Sequence, residues 1–117
     1  MQAFHSINDV LNDLLTSDGP YLEFLRVPSM SCGIYVLEAG AEDRQRPHQE
    51  DELYYVISGE AGMKIVHDHL QVEDRSIAPG DTIFVKAGQE HRFHSIAGTL
   101  AVLVVFAPVE GSRKATA

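Results

Sequence analysis

The sequence predicts an all-β fold, a small barrel or sandwich with one short helix at its N-terminus. From Tyr21 onward, short segments rich in aromatic and β-branched residues alternate with turns that contain glycine or proline, which is typical of antiparallel strands. Helical spacing of apolar residues is confined to the chain before that point. With 117 residues the chain has the usual size of one domain, so we expect a single core.

The helix is expected in the N-terminal segment, residues 1–20. Ser6 followed by Asp9 is typical of a helix start, because the hydroxyl accepts from a free backbone N–H and the carboxylate suits the positive end of the helix dipole. The apolar residues that follow recur at helical spacing: Ile7, Val10, Leu11, Leu14 and Leu15. Gly19 and Pro20 end the helix, since proline cannot continue the hydrogen-bond ladder.

Strands are expected in residues 21–108, and the segments that suggest them are YLEFLRV, SMSCGIYVLEAG, ELYYVI, AGMKIV, HLQVEDRSI, TIFVK, HRFHSI and LAVLVVFA. Ser58-Gly59 separates two of them as a turn, and residues 78–81 (APGD) suit a type II turn because proline and glycine take its central positions. Residues 109–117 lose their apolar side chains, so we expect a flexible C-terminal tail.

Composition narrows the class of partner. Acidic residues exceed basic ones by 17 to 9, which gives a formal charge of −8 and predicts no nucleic-acid partner. No apolar run is long enough to span a bilayer and the N-terminus does not resemble a secretory signal, so we expect a cytoplasmic protein with no membrane partner. Cys32 is the only cysteine, which excludes an intrachain disulfide, and we expect it to be buried.

Two blocks bounded by glycines contain the candidate chemistry. The first reads G-x7-H-x3-E-x6-G from Gly40 to Gly59, and the second reads G-x7-G-x2-H from Gly80 to His91. The 20 residues between the blocks are enough for a hairpin. The blocks therefore describe paired strands that carry histidine and glutamate at fixed positions.

These blocks resemble the two motifs of the cupin superfamily, specifically its small single-domain conserved-barrel type, the cupin 2 type. The resemblance implies a jelly-roll β-barrel over residues 21–108, a homodimer, and one divalent metal bound inside the barrel by three histidines and a glutamate. His48, Glu52 and His91 match three of these ligands. Arg46 stands in place of the first histidine, and a guanidinium that stays protonated does not bind a cation.

Two imidazoles and one carboxylate are enough for a facial triad, a set that favours iron(II) and is also compatible with manganese, nickel or zinc. Strand alternation supports this set, because residues two apart share a face. His48 and Glu52 then lie on one face, whereas the side chains of His91 and His94 point to opposite faces of their strand. His67 and His69 fall in the expected hairpin connection, and we interpret them as a surface turn.

The candidate substrate-binding residues are Arg46, Tyr54 and Phe93. Arg46 has two interpretations, a surface ion pair with Glu50 or Asp51, or a clamp for an anionic group beside the metal. The apolar and aromatic residues expected in the core, some of which would line the barrel mouth, are Tyr54, Met63, Ile65, Phe84, Phe93 and Val104.

The leading hypothesis is therefore a metal-dependent enzyme, an oxygenase or an isomerase, that acts on a small organic acid. Two alternatives stay open: a barrel that binds a small ligand or a sugar without turnover, and a structural or regulatory dimer that has lost its metal. No residue can be assigned a catalytic role from the sequence, because this fold serves many reactions.

Overall fold

A computed structural model of the chain describes residues 2–43 and 45–112. Within these residues it contains α1 (Ile7–Leu15), β1 (Tyr21–Val27), β2 (Met30–Leu37), β3 (Asp51–Asp68), β4 (Gln71–Ile77), β5 (Thr82–Val85) and β6 (His91–Ala107). The all-β prediction with one short helix is confirmed. Residues 113–117 of the expected tail lie outside the described residues, as does Arg44. No helix of the described part is long and apolar enough to cross a membrane.

All strand pairs are antiparallel, and the strands follow the order β1-β2-β6-β3-β4, with β5 added to β3. The long strands β3 and β6 pair from Asp51 with Ala107 to Ile65 with His91. On a flat sheet the separation of 13 residues from Glu52 to Ile65, the partner of His91, would span roughly 40 Å. The side chains of Glu52 and His91 nevertheless lie 3.3 Å apart, so the sheet closes on itself.

The closure depends on irregularities inside the two long strands. The predicted turn at Ser58-Gly59 is wrong, because β3 continues through it and the β3–β6 register shifts three times between Val56 and Gly62. Gly59 has φ +86°, and a Cβ there would collide with the backbone of Thr99. Bulges of this kind bend a strand strongly, which lets one strand serve both halves of the barrel. The segments HRFHSI and LAVLVVFA likewise form one strand, β6.

Two apolar clusters lie on opposite faces of the sheet. The interior cluster fills the barrel and includes Tyr54, Val56, Met63, Ile65, Phe93, Val104 and Phe106. The outer cluster forms where α1 covers the sheet, with Val10 and Leu14 against Ile34. Phe84 was expected in the core, but it is 60% exposed because its strand points it outward beside Leu53.

Candidate metal centre

The side chains of His48, Glu52 and His91 converge at one end of the barrel. One ligand atom from each lies within 4.8 Å of the other two. Glu52 is the second residue of β3 and His91 the first of β6, whereas His48 belongs to the loop that precedes β3. The structure thus brings together the three residues that the sequence proposed as ligands.

Nε2 of His91 faces the carboxylate of Glu52. Its Nδ1 lies 2.9 Å from the backbone oxygen of Gln89, which can only accept, so Nδ1 carries the hydrogen and Nε2 of the neutral ring is an acceptor. Nε2 lies 3.3 Å from Oε2 of Glu52, and both side chains are buried. Two acceptors that face each other in a buried site need a proton or a cation between them.

The hydroxyl of Tyr54 is surrounded by acceptors. It lies 3.0 Å from Oε1 of Glu52, 3.1 Å from Oε1 of Gln45 and 3.2 Å from Nε2 of His91. Burial, followed by the charge of Glu52, raises the pKa of Tyr54 well above its usual value, so the hydroxyl keeps its proton at neutral pH. One proton cannot be donated to three acceptors at once, so at least one of these contacts needs a further proton or a cation.

His48 is held between two carboxylates. Nε2 lies 3.1 Å from Oε2 of Glu110, and Nδ1 lies 3.3 Å from Oε1 of Glu52. The second contact is electrostatic only, because Nδ1 is buried without a hydrogen-bond partner among the described residues. Hydrogen bonding to Glu110, followed by the interaction with Glu52, raises the pKa of His48 to about 10 although burial opposes this. In the metal-free protein His48 therefore carries an extra proton at neutral pH.

Glu110 belongs to a segment that the sequence assigned to the tail. Its backbone N–H donates to Oγ of Ser31 at 3.0 Å, and its carbonyl accepts from Arg26 at 2.9 Å. The N–H of Gly111 donates at 3.1 Å to the carboxylate of Glu50, which is buried. These bonds fix Glu110 over the barrel mouth. An acid in a polar, glycine-containing segment gives no signal in the sequence that separates it from a solvated charge.

The loop before β3 is fixed by Asp43, which is 6% exposed. Its carboxylate accepts from the backbone N–H of Phe93 at 2.9 Å, from the backbone and side chain of Gln45 at 3.1 Å, and from the hydroxyl of Tyr35 at 3.2 Å. The amide of Gln45 is thereby oriented with its oxygen toward Tyr54. Sequence reasoning missed both Asp43 and Gln45, because neither falls on a position of the two motifs.

The three candidate substrate-binding residues have different surroundings. Tyr54 reaches the centre of the site, whereas Phe93 is buried behind it and packs edge to face on the Tyr54 ring, with centroids 5.1 Å apart. Arg46 is exposed at the mouth and lines a cavity of about 310 Å³ together with His48. Within residues 2–43 and 45–112 no carboxylate lies within 4 Å of Arg46, so the predicted ion pair with Glu50 or Asp51 does not form there.

The residues present fit a divalent cation. They offer two imidazole nitrogens and one carboxylate, a donor set used for iron, manganese, nickel and zinc. Nδ1 of His48 is a buried polar atom with no hydrogen-bond partner among the described residues, and the hydroxyl of Tyr54 contacts more acceptors than it has protons to donate. A cation at this point would supply the missing positive charge.

Comparison with known proteins supports the same interpretation of the fold. The chain is 42% identical over 110 residues to the uncharacterized protein SCO3923 of Streptomyces coelicolor, which covers 94% of this chain and 99% of that protein. A conserved Klebsiella pneumoniae protein with a double-stranded β-helix domain superposes with a TM-score of 0.72 at 20% identity, covering 92% of this chain and 91% of that one.

A third similar structure is the DMSP lyase DddQ of Ruegeria pomeroyi, with a TM-score of 0.63 and 21% identity. The match covers 77% of this chain but only 42% of the lyase. The family model described as a cupin domain matches residues 33–106, a range that contains β3, β4 and β5, most of β2 and β6, and all three candidate ligands. The chain therefore belongs to the cupin family, as its two glycine-bounded blocks predict.

Proposed function

We propose that this cupin is a divalent-metal-dependent enzyme that acts on a small organic acid by proton transfer, a reaction of the isomerase type. The observation that supports this proposal is the single hydroxyl of Tyr54 between the two candidate ligands Glu52 and His91. The site thus combines a place for a Lewis acid with a buried group able to carry a proton.

The metal would supply Lewis acidity, which would acidify a carbon-bound proton next to a coordinated carbonyl. His48, Glu52 and His91 would hold it, and Gln89 would keep His91 in the tautomer that binds through Nε2. Tyr54 would give its hydroxyl proton to one atom of the substrate and take a carbon-bound proton from another, so its own protonation state is unchanged after the transfer. The edge-to-face contact with Phe93 fixes its ring. Arg46 at the mouth would bind the acid group of the substrate.

The donor set itself favours a second candidate. Two histidines and one carboxylate on one face of an iron(II) ion leave open positions that suit an oxygenase. The DMSP lyase DddQ supports an enzyme with this fold rather than a binding module without turnover, although fold similarity does not select the reaction. Isomerase and oxygenase chemistry differ in their need for dioxygen, which makes them easy to separate by experiment.

The first test is metal analysis of untagged protein after supplementation with iron, manganese, nickel and zinc. We expect one ion per chain in the wild type and none in a variant that combines His48→Ala with His91→Ala. An ion retained by that variant would be bound elsewhere. His67→Ala is the matched control, because His67 lies on the surface with Nε2 2.8 Å from the carboxylate of Glu73.

The second test follows proton exchange. Metal-loaded protein is incubated with a panel of small 2-oxo and 2-hydroxy acids in D2O, and deuterium incorporation is followed by NMR while an electrode records dioxygen. We expect exchange without dioxygen uptake, and loss of exchange with retained metal in Tyr54→Phe. Dioxygen uptake without exchange would establish the oxygenase instead, and neither signal with bound metal would contradict both candidates.

We also infer a cytoplasmic homodimer. The outer face of the sheet presents an apolar patch formed by Leu53, Tyr55 and Phe84, which are 45%, 45% and 60% exposed. Leu53 is the direct cross-strand partner of Phe84, so the patch is continuous. Contiguous exposed apolar patches of this kind mark interaction surfaces, and a symmetric dimer would cover the same patch on both copies.

A further inference from the structure

The cavity beside His48 has an aromatic interior and a charged rim. Its volume is about 310 Å³, and its walls include Tyr21, Tyr35 and Phe106. The rings of Tyr21 and Phe106 meet edge to face with centroids 6.5 Å apart, and the ring of Phe106 lies 4.8 Å from that of His48. Walls of this kind suit a flat apolar group of modest size.

Tyr21, one of the residues that line this cavity, has an unsatisfied hydroxyl. The oxygen is buried and has no hydrogen-bond partner among the described residues. Burial, followed by the charge of Glu110, raises the pKa of Tyr21, so the group is a donor at neutral pH. Gly33 makes room for it, because a Cβ at that position would collide with the Tyr21 ring and hydroxyl. A buried donor without a partner is costly, and a ligand acceptor would relieve that cost.

The charges at the rim of the cavity favour a ligand with a negative charge. Glu110 also borders the cavity, but its carboxylate is engaged by His48 at 3.1 Å. Arg46 contributes a cation that no described carboxylate approaches within 4 Å. The rim therefore offers an uncompensated positive charge to an anion.

The surface beside the rim is mainly positive. A groove of about 350 Å³ shares Arg46 with the cavity and is also lined by Lys64 and Arg92, against one acidic lining residue among the described ones, Glu90. Lys64 and Arg92 are direct cross-strand partners, an arrangement of like charges that destabilises a sheet. Three of the nine basic residues thus gather at this point of a chain with a formal charge of −8. Such a local field attracts anions and raises their association rate.

We infer that the cavity is the substrate subsite and that it binds a small monocarboxylate with a flat, apolar body. The carboxylate pairs with Arg46 and accepts from the hydroxyl of Tyr21, and the body lies between the rings of Tyr21, Tyr35 and Phe106. The carbon next to the carboxylate then faces His48. This inference rests on the proposed function only for the reaction, because the subsite itself is built without the metal.

The test compares benzoate with benzamide, which has the same ring but no charge. Dissociation constants are measured by NMR titration on chelator-treated protein and again after addition of zinc. We expect benzoate to bind roughly tenfold more tightly than benzamide in both states, since hydrogen bonds to charged groups are the stronger ones. Chemical-shift changes should include Tyr21 and His48.

Three variants locate the carboxylate. Arg46→Met should weaken benzoate roughly tenfold and leave benzamide unchanged, and Tyr21→Phe should weaken benzoate roughly fivefold. Arg75→Met is the matched control, because Arg75 is exposed, pairs with Glu73 and lies outside the cavity lining. Circular dichroism of each variant verifies folding, and the exposure of Arg46 makes unfolding unexpected.

The outcomes separate this inference from the proposed function. Equal binding of benzoate and benzamide, or benzoate binding unchanged in Arg46→Met, would overturn the subsite whatever the metal content. Benzoate that binds only with zinc and is indifferent to Arg46 would place the carboxylate on the metal and also overturn it. Selective binding by protein that never retains a metal would uphold the subsite and refute the metal-dependent enzyme.

Discussion

Replacement of Glu110 by glutamine tests whether the carboxylate of Glu110 keeps His48 protonated in the metal-free protein. The pKa of His48 is raised to about 10, and the largest cause of this rise is the hydrogen bond to Glu110. At pH 7.5 a metal must displace the proton on Nδ1, and this competition weakens the apparent affinity about 300-fold relative to the deprotonated site. Between about pH 7 and 8.5, affinity should therefore rise tenfold per pH unit, with about one proton released per ion.

Glu110→Gln removes the charge that holds this proton but keeps an oxygen within reach of Nε2. The pKa of His48 should fall, so the variant should release clearly less than one proton per ion at pH 8, and its affinity should depend less on pH. The absolute affinity has two opposing contributions, because a ligand histidine also loses its orienting carboxylate, a loss that typically costs 10- to 100-fold. The slope with pH is therefore the decisive quantity.

The measurement is calorimetric titration with zinc in buffers of different ionisation enthalpy, which counts released protons directly. Glu73→Gln is the control, since Glu73 makes the same kind of contact to His67 on the surface at 2.8 Å. A wild-type protein whose zinc affinity is constant between about pH 7 and 8.5 would refute the reasoning. Equal slopes for wild type and Glu110→Gln would show that Glu110 does not hold the proton.

Three further predictions concern stability and assembly. Protonated His48 should stabilise the metal-free fold fully below about pH 6.5 and no longer above about pH 10, because its pKa is raised in the folded state. Between these values the free energy of unfolding, measured in urea, should fall by up to roughly 1.4 kcal/mol per pH unit, and His48→Gln should reduce this fall. Gly62→Ala should cost roughly 1–3 kcal/mol by the same assay, because a Cβ there collides with the ring of His94; an unchanged midpoint would contradict this packing. Tyr55→Lys should leave stability within about 0.5 kcal/mol but convert the inferred dimer to monomer in light scattering, whereas a dimer of unchanged mass would place the interface elsewhere.

The sequence predicts the fold well because its signals are local. Alternation of apolar residues, the capping residue Ser6 and the turn at residues 78–81 each depend on a few neighbours, and each is present: Ser6 accepts from Asp9, and Asp81 donates its N–H to the carbonyl of Ala78 at 3.1 Å. The turn expected at Gly59 is the exception. A positive φ serves a turn and a bulge equally, and only the partner strand decides between them.

The sequence could indicate all three candidate ligands because the spacing of the two motifs marks them, although strand parity applies only to Glu52 and His91, since His48 lies in the loop before β3. Glu52 and Tyr54 lie on the buried face of β3, and Leu53 and Tyr55 lie on the exposed face. Phe84 shows the limit of such reasoning, since its hydrophobicity suggested the core while its pairing with Leu53 turned it outward. Glu110 lies 58 residues from Glu52 along the chain. The spacing of neighbouring residues does not predict a contact between residues so far apart in the sequence.

The arginine at the position of the fourth ligand has a physical explanation in the charge of the site. A divalent ion contributes +2, Glu52 and Glu110 contribute −1 each, and Arg46 contributes +1, which leaves a net charge of +1 when both histidines are neutral. A neutral histidine in place of Arg46 would leave a net charge of zero and one coordination position fewer. With a metal bound as proposed, the arginine would exchange a metal ligand for affinity toward a monoanion and would leave one coordination position open to the substrate.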